Sequence, residues 1–227
     1  MLLFYVYSTT GIYMFPWHNI DTVLLDMDGT LLDLHFDNHF WLQLVPQQLS
    51  LLRKISLADA NELVTQAYQD VVGTLDWYCL DYWQRHLGLD ILALHHTAVD
   101  RITIRNDSMP FLQALAGASK RRILFTNAHP HSLALKLTHT NLADGLDELL
   151  SSHESGYPKE HPNFWRYAFD KFNLDPARCL FIDDSEVILA ASKLAGVGYQ
   201  LGVSNPDSKK RYTVFKQFPA VSDLLDA

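Results

Sequence analysis

The apolar run Thr22-Val23-Leu24-Leu25 ends abruptly in Asp26-Met27-Asp28-Gly29-Thr30, and few folds can hold that junction. The β-branched and apolar run reads as a buried strand. Asp26 and Asp28 are two apart, so on an extended chain their side chains leave from one face. Neighbouring carboxylates repel, and a fold that keeps them together must offset the repulsion, commonly with a cation. Gly29 permits a sharp turn, and Thr30 offers a hydroxyl and a backbone amide to an anion. The pattern points to Mg²⁺ and a phosphate at the end of a strand.

The rest of the chain divides into two textures. From about 33 to 98 it reads as helical, without a convincing strand. Phe36, Phe40, Trp41 and Leu44 recur at helical spacing, and Pro46 predicts a break. Ser56-Leu57-Ala58-Asp59 reads as a capping box opening a helix that runs through Val72. A third helix over 76–87 carries Trp77, Tyr78, Tyr82 and Trp83, and Gly88 supplies its stop. Such an aromatic stripe fits a core, or a wall facing a planar ligand such as a base. From Ile102 onward, strands over 122–127, 148–152, 179–182 and 199–203 alternate with helices over 110–116, 132–138, 163–172 and 186–195. Continuous apolar strands, each followed by an amphipathic helix, indicate a parallel sheet covered on both faces. The first strand belongs to that sheet, so the helical region is an insertion after it, with hinges near Asp33 and Ile102.

Composition narrows the partners. The chain has 227 residues, 48% of them hydrophobic, enough for a full core. A net charge of -8 offers no basic field for nucleic acid, and no membrane span is expected. Cys79 and Cys179 lack metal-ligand spacing, read as small core residues and suggest a reduced, cytoplasmic setting. Residues 1–19 open with an apolar and aromatic run over 1–15. They read as an extension ahead of the fold, with Met14 as a natural start, or as an arm packing on the body or a second subunit. Lys209, Lys210 and Arg211 read as a solvated charge run.

Ligands of such sheets sit beyond the carboxyl ends of the strands. Three strands end in polar residues there: Asp26 and Asp28, then Thr126 and Asn127, then Asp183, Asp184 and Ser185. A buried carboxylate cluster is costly without a cation, and Mg²⁺ suits hard oxygen donors that also share a phosphate oxygen. Lys159, in the turn-forming Gly156-Tyr157-Pro158-Lys159, can bring a positive charge to the same rim. His129 and His131 read as polar loop residues, His129 being a candidate to reach a substrate. Neither this pair nor His95-His96 has partners at zinc-site spacing.

Together, Asp26-Met27-Asp28-Gly29-Thr30, Thr126-Asn127, Lys159 and Asp183-Asp184 resemble the four ordered motifs of haloacid-dehalogenase-superfamily phosphatases. The resemblance implies an α/β, Rossmann-like parallel-sheet core (20–32 and 103–227) with an α-helical cap (33–102) inserted after the first strand. It implies Asp26 as nucleophile and Asp28 as general acid/base. Thr126 would bind phosphoryl oxygens and Lys159 neutralise charge. Asp183 would hold Mg²⁺ with Asp26 and the Asp28 backbone carbonyl. Gly29, Thr30 and Asn127 are expected at the substrate phosphate, with Asp184 a further candidate. The groups themselves support this chemistry: a carboxylate can attack phosphorus, and a second can protonate the leaving oxygen and then activate water. True dehalogenases of the superfamily lack an acid at the position of Asp28, which favours a phosphatase. The segment 75–83, together with Ala128-His129-Pro130-His131 and Gly202-Val203-Ser204-Asn205-Pro206-Asp207-Ser208, is similar to bacterial purine 5′-nucleotidases of the GMP/IMP type. That implies purine nucleoside monophosphates as substrates. Rival expectations are a sugar-phosphate phosphatase or phosphomutase of the same superfamily, or a phosphate-binding module without turnover.

Overall fold

The computed structural model describes residues 6–8, 11–13 and 15–227. Met14, the expected start, lies outside the described residues, as do residues 1–5, 9 and 10 of the stretch read as an extension. Two short strands, β1 (Val6–Ser8) and β2 (Gly11–Tyr13), pair antiparallel. Phe15 and the turn after it are tied to the body: Phe15 is buried against Trp17 and Tyr199, and Lys120 Nζ donates to the carbonyls of Trp17 and Ile20.

The main sheet begins with β3 (Thr22–Leu25), buried at every residue. The chain then leaves the sheet for α1 (His35–His39), a π-helical turn (Phe40–Leu44), α2 (Val45–Arg53), α3 (Leu57–Val71), α4 (Leu80–Leu87) and α5 (Ile91–His96). It returns through α6 (Ser108–Gly117), β4 (Arg121–Thr126), α7 (Pro130–Thr138), β5 (Glu148–Ser151), α8 (Ser152–Ser155) and α9 (Pro162–Phe172). β6 (Cys179–Asp183), α10 (Glu186–Leu194), β7 (Tyr199–Val203) and β8 (Ala220–Val221) complete it. The six strands lie in the order β5-β4-β3-β6-β7-β8, all parallel. No helix among the described residues is long and apolar enough to cross a membrane.

Strand alternation splits the core between the two faces. Val23, Leu25, Leu124 and Ile182 pack on one side, while Leu24, Ile123, Phe125 and Phe181 pack with Trp165 and Leu189 on the other. The inserted helices bury a separate cluster that includes Phe40, Leu49, Val64, Trp83 and Ile91. Ser56 caps α3 by accepting from the Asp59 amide at 3.1 Å, as the capping box predicts. Gly88 ends α4 in the left-handed region at φ +70. Pro46 does not break the helix as expected. The preceding turn widens, the Val45 amide donating to the Phe40 carbonyl, so Pro46 falls in the first turn of α2 where its missing N–H costs little.

The two crossings between sheet and insertion run side by side. The Asp33 amide donates to the Thr103 carbonyl at 3.0 Å and the Arg105 amide to the Leu31 carbonyl at 3.1 Å, with a bridge between Leu32 and Ile104.

Candidate active site

Register determines which residues share the rim. Leu25 of β3 pairs with Leu124 of β4 and with Ile182 of β6. Asp26 and Asp183, the next residues, and Thr126, one position further along β4, therefore emerge near one another at the carboxyl edge. Asp26 extends the ladder by one bond, its amide donating to the Ile182 carbonyl at 2.9 Å. Gly29 then turns at φ +91, and a Cβ there would sit 2.6 Å from Asp184 Oδ2, so both backbone sign and space require glycine.

Lys159 is the central cation. Its Nζ lies 2.5 Å from Asp26 Oδ1 and 2.7 Å from Asp183 Oδ2, fully buried and above the Phe181 ring. Asn127 steadies the loop that carries it: Oδ1 accepts the Lys159 amide at 2.9 Å, and Nδ2 donates to Glu160 Oε2 at 3.1 Å. Trp165 Nε1 donates to the Lys159 carbonyl at 2.7 Å. Thr126 Oγ1 accepts the Ala128 amide at 3.0 Å, and Asp183 Oδ1 accepts the Ser185 amide at 2.8 Å.

Burial dominates the electrostatics. It pushes the Asp26 carboxyl up to about 7, with Lys159 opposing and Asp183 and Asp28 adding to the rise. Burial also raises Asp183, against Lys159, and raises Asp184 strongly, helped by Asp183 and Asp26. For Lys159 burial disfavours the ammonium, but Asp183 and Asp26 outweigh it and hold the group above its ordinary value. Carboxylate oxygens of Asp26, Asp183 and Asp184 lie within 4.8 Å of one another. Three hard oxygen donors face one ammonium, a donor set and a charge deficit that fit a divalent cation.

Asp28 has a different environment. Its carboxylate is not in that cluster but accepts from Lys136 Nζ at 2.7 Å. The same ammonium holds both oxygens of Asp37 in α1, at 2.8 and 2.9 Å. Burial, then repulsion from Asp28, lifts Asp37 to about 6 against the pull of Lys136. The sequence reading missed Lys136 and Asp37. A signal existed: Ser132 and Lys136 are one turn apart on α7, beside Leu133, on its buried face.

These groups open into a cavity of about 520 Å³ between the strand ends and the inserted helices. Asp26, Asp28, Thr126, Asn127, Lys159 and Asp183 line its floor, and Asp184 and His129 also reach it. Gly29 and Thr30 lie outside the lining. The Thr30 side chain is buried and its amide points to the Met27 carbonyl at 3.4 Å. Trp41, Tyr68, Trp77 and Tyr78 of the insertion form the opposite wall. The aromatic stripe thus divides: Trp77, Tyr78 and Trp83 reach the cavity, Trp83 at 1% exposure from within the insertion's core, while Tyr82 packs on that core outside the lining. Tyr78 OH donates to Glu160 Oε1 at 2.7 Å, a contact between the insertion and the Lys159 loop. Cys179 is buried as expected, and Cys79 is half-buried and free. Lys209, Lys210 and Arg211 are exposed.

A family model for haloacid dehalogenase-like hydrolases matches residues 20–196, from the first core strand through α10. The chain belongs to that family. It is 50% identical over 207 residues to the GMP/IMP nucleotidase YrfG of Escherichia coli, covering 91% of this chain and 93% of the relative. It is 26% identical over 180 residues to hexitol phosphatase B of the same organism, covering 76% and 78% of the two chains. Among solved structures, an HAD phosphatase from Thermococcus onnurineus superposes with a TM-score of 0.75 at 20% identity, covering 90% of this chain and 94% of that one. The α/β core expected from the sequence is the fold of this hydrolase family.

Proposed function

We propose that the protein is a Mg²⁺-dependent phosphomonoesterase that hydrolyses purine nucleoside 5′-monophosphates such as GMP and IMP. The observation that carries this is one cavity, with paired carboxylates and a buried lysine at its floor and a wall of aromatic rings opposite. The floor suits a phosphoryl group and the wall suits a planar base. The 50% identity to a GMP/IMP nucleotidase across nearly the full chain supports the same reading.

In the first half-reaction an Asp26 carboxylate oxygen attacks phosphorus, and the P–O bond to the nucleoside 5′-oxygen breaks. Asp28 delivers a proton to that departing oxygen. Lys136 anchors one Asp28 oxygen, leaving the other free for the transfer. In the second half-reaction Asp28 takes a proton from water as the water oxygen attacks the aspartyl-phosphate, releasing phosphate and regenerating Asp26. Thr126 binds phosphoryl oxygens, Lys159 neutralises them, and Asn127 holds the Lys159 loop. Asp26, Asp183 and the Asp28 carbonyl, with Asp184 beside them, would hold Mg²⁺. When bound it would supply positive charge to the phosphoryl oxygens. Residues 33–102 act as a cap on the paired crossings near Asp33 and Ile102, closing to exclude water. A small phosphate ester, not nucleic acid, is the partner, and the setting is cytoplasmic.

The similarity to a hexitol phosphatase keeps sugar phosphates as a second reading. The deciding experiment measures phosphate release with Mg²⁺ from purine and pyrimidine 5′-monophosphates, hexitol phosphates and hexose phosphates. kcat/KM is expected to be highest for GMP and IMP. Higher values for the sugar phosphates, or no release from any ester, would overturn the proposal.

A further inference from the structure

Beside the cavity, where the insertion meets the strand ends, three groups converge that the proposed hydrolysis leaves unused as a set. They are the Cys79 thiol and ring nitrogens of His129 and His153, all within 4.8 Å of one another. The sequence hides this cluster, because its members are 50 and 24 residues apart. Cys79 precedes α4 in the insertion, whereas His129 caps α7 and His153 lies in α8, both after core strands. The His129 and His153 rings meet edge to face at 4.9 Å. His153 Nε2 is buried without a hydrogen-bond partner, a polar atom the fold leaves unsatisfied. Asp81, in the first turn of α4, places Oδ2 3.7 Å from His129 Nε2 and can serve as a fourth donor.

We propose that Cys79, His129 and His153, with Asp81, form a second metal site, selective for Zn²⁺ over Mg²⁺, that staples the insertion to the core. One sulfur, two imidazoles and a carboxylate are a zinc donor set and a poor one for Mg²⁺, which takes oxygen. Donors around tetrahedral zinc stand roughly 3.5 Å apart, so the present spacing closes with side-chain adjustment alone. Binding releases the thiol proton of Cys79, and thiolate plus Asp81 balance the metal's charge. Burial already keeps both histidines inclined to the neutral form a ligand needs, with His153 lowered to about 4. His129 Nδ1 accepts the His131 amide at 3.3 Å, so coordination through Nε2 shifts the ring proton to Nδ1 and releases that long contact. Because the ligands come from both sides of the junction, an occupied site resists opening of the cap and slows substrate entry and product exit. Zinc is then a brake on the enzyme rather than a cofactor.

The experiment uses the full chain saturated with Mg²⁺. Titration with Co²⁺ is expected to give a near-ultraviolet thiolate-to-cobalt band that saturates at one equivalent and is displaced by Zn²⁺. The band should vanish in Cys79→Ser and weaken in His153→Gln. Both variants should retain basal phosphate release, while the Zn²⁺ concentration needed for inhibition rises on the order of 10- to 100-fold. A wild-type protein without the band would overturn the proposal. So would inhibition of both variants at the wild-type Zn²⁺ concentration, which would place zinc at the carboxylate cluster. If Cys79→Ser does not fold, the band and the inhibition constant of His153→Gln decide. The spectral result holds whichever phosphate ester is the substrate.

Discussion

Asp26 and Asp28 are two residues apart, yet their surroundings pull them into different tasks. Asp26 is buried against Lys159 and two further carboxylates, and burial lifts it to about 7. Asp28 faces the cavity and is tethered to Lys136. Asp26→Asn is expected to lower kcat by at least about 10³-fold, since the proposed nucleophile is lost while volume is kept. Its folded carboxyl titrates above the unfolded value, so the ionised form costs the folded state near neutrality. Asn should therefore melt at the same temperature or higher, which a thermal scan at pH 7.5 checks. Lys136→Met should behave oppositely in stability. It leaves Asp28 and Asp37 facing each other without a cation, and breaking such a buried pair costs about 3–5 kcal/mol. Urea unfolding reads that loss, and kcat should fall as well, because Asp28 loses its anchor.

At the scale of elements, each strand places its chemistry by where it stops. β3, β4 and β6 were legible because apolar runs ended in polar residues. The insertion was legible only as helices, since helical periodicity says which face is apolar but not what that face meets. α5 shows the gap. His95 looked unremarkable in the sequence, yet it is 2% exposed, with its ring 4.1 Å from that of Phe40 and Nε2 unpartnered. Burial holds it neutral, its pKa lowered to about 3. The unfolded chain takes up this proton near pH 6.5 and the folded chain does not. Stability is therefore complete above about 6.5 and declines as pH falls toward 3, by up to about 1.4 kcal/mol per pH unit. His95→Phe should remove that part of the acid sensitivity. Chemical unfolding at pH 7 and pH 4.5 should show a smaller difference for the variant than for the wild type.

For the whole molecule, the site is a meeting of two separately packed bodies of side chains. The sheet carries one set of cores and the insertion its own, joined through paired crossings at 31–33 and 103–105. Three carboxylates around one ammonium leave a charge deficit in the folded state that a divalent ion relieves. Chelation should abolish phosphate release, and added Mg²⁺ should restore it. A Mg²⁺ concentration about 100 times its Kd should add about 2.7 kcal/mol, or roughly 5–10 °C in Tm for a chain of this size. Calorimetry with and without the ion tests this, and an unchanged Tm would count against the carboxylate cluster as the metal site.

The sequence alone determined the parallel sheet, the insertion after its first core strand, and the polar strand ends that face the cavity. Those are local facts: a period of two, a capping residue, a run that stops. Only the tertiary structure decided that Lys136 faces Asp28, that His95 is buried, and that Cys79, His129 and His153 share one corner. Each of these joins the insertion to the core or draws a polar side chain into it. No local pattern records such contacts, because the energy that selects them comes from packing between segments far apart in the chain.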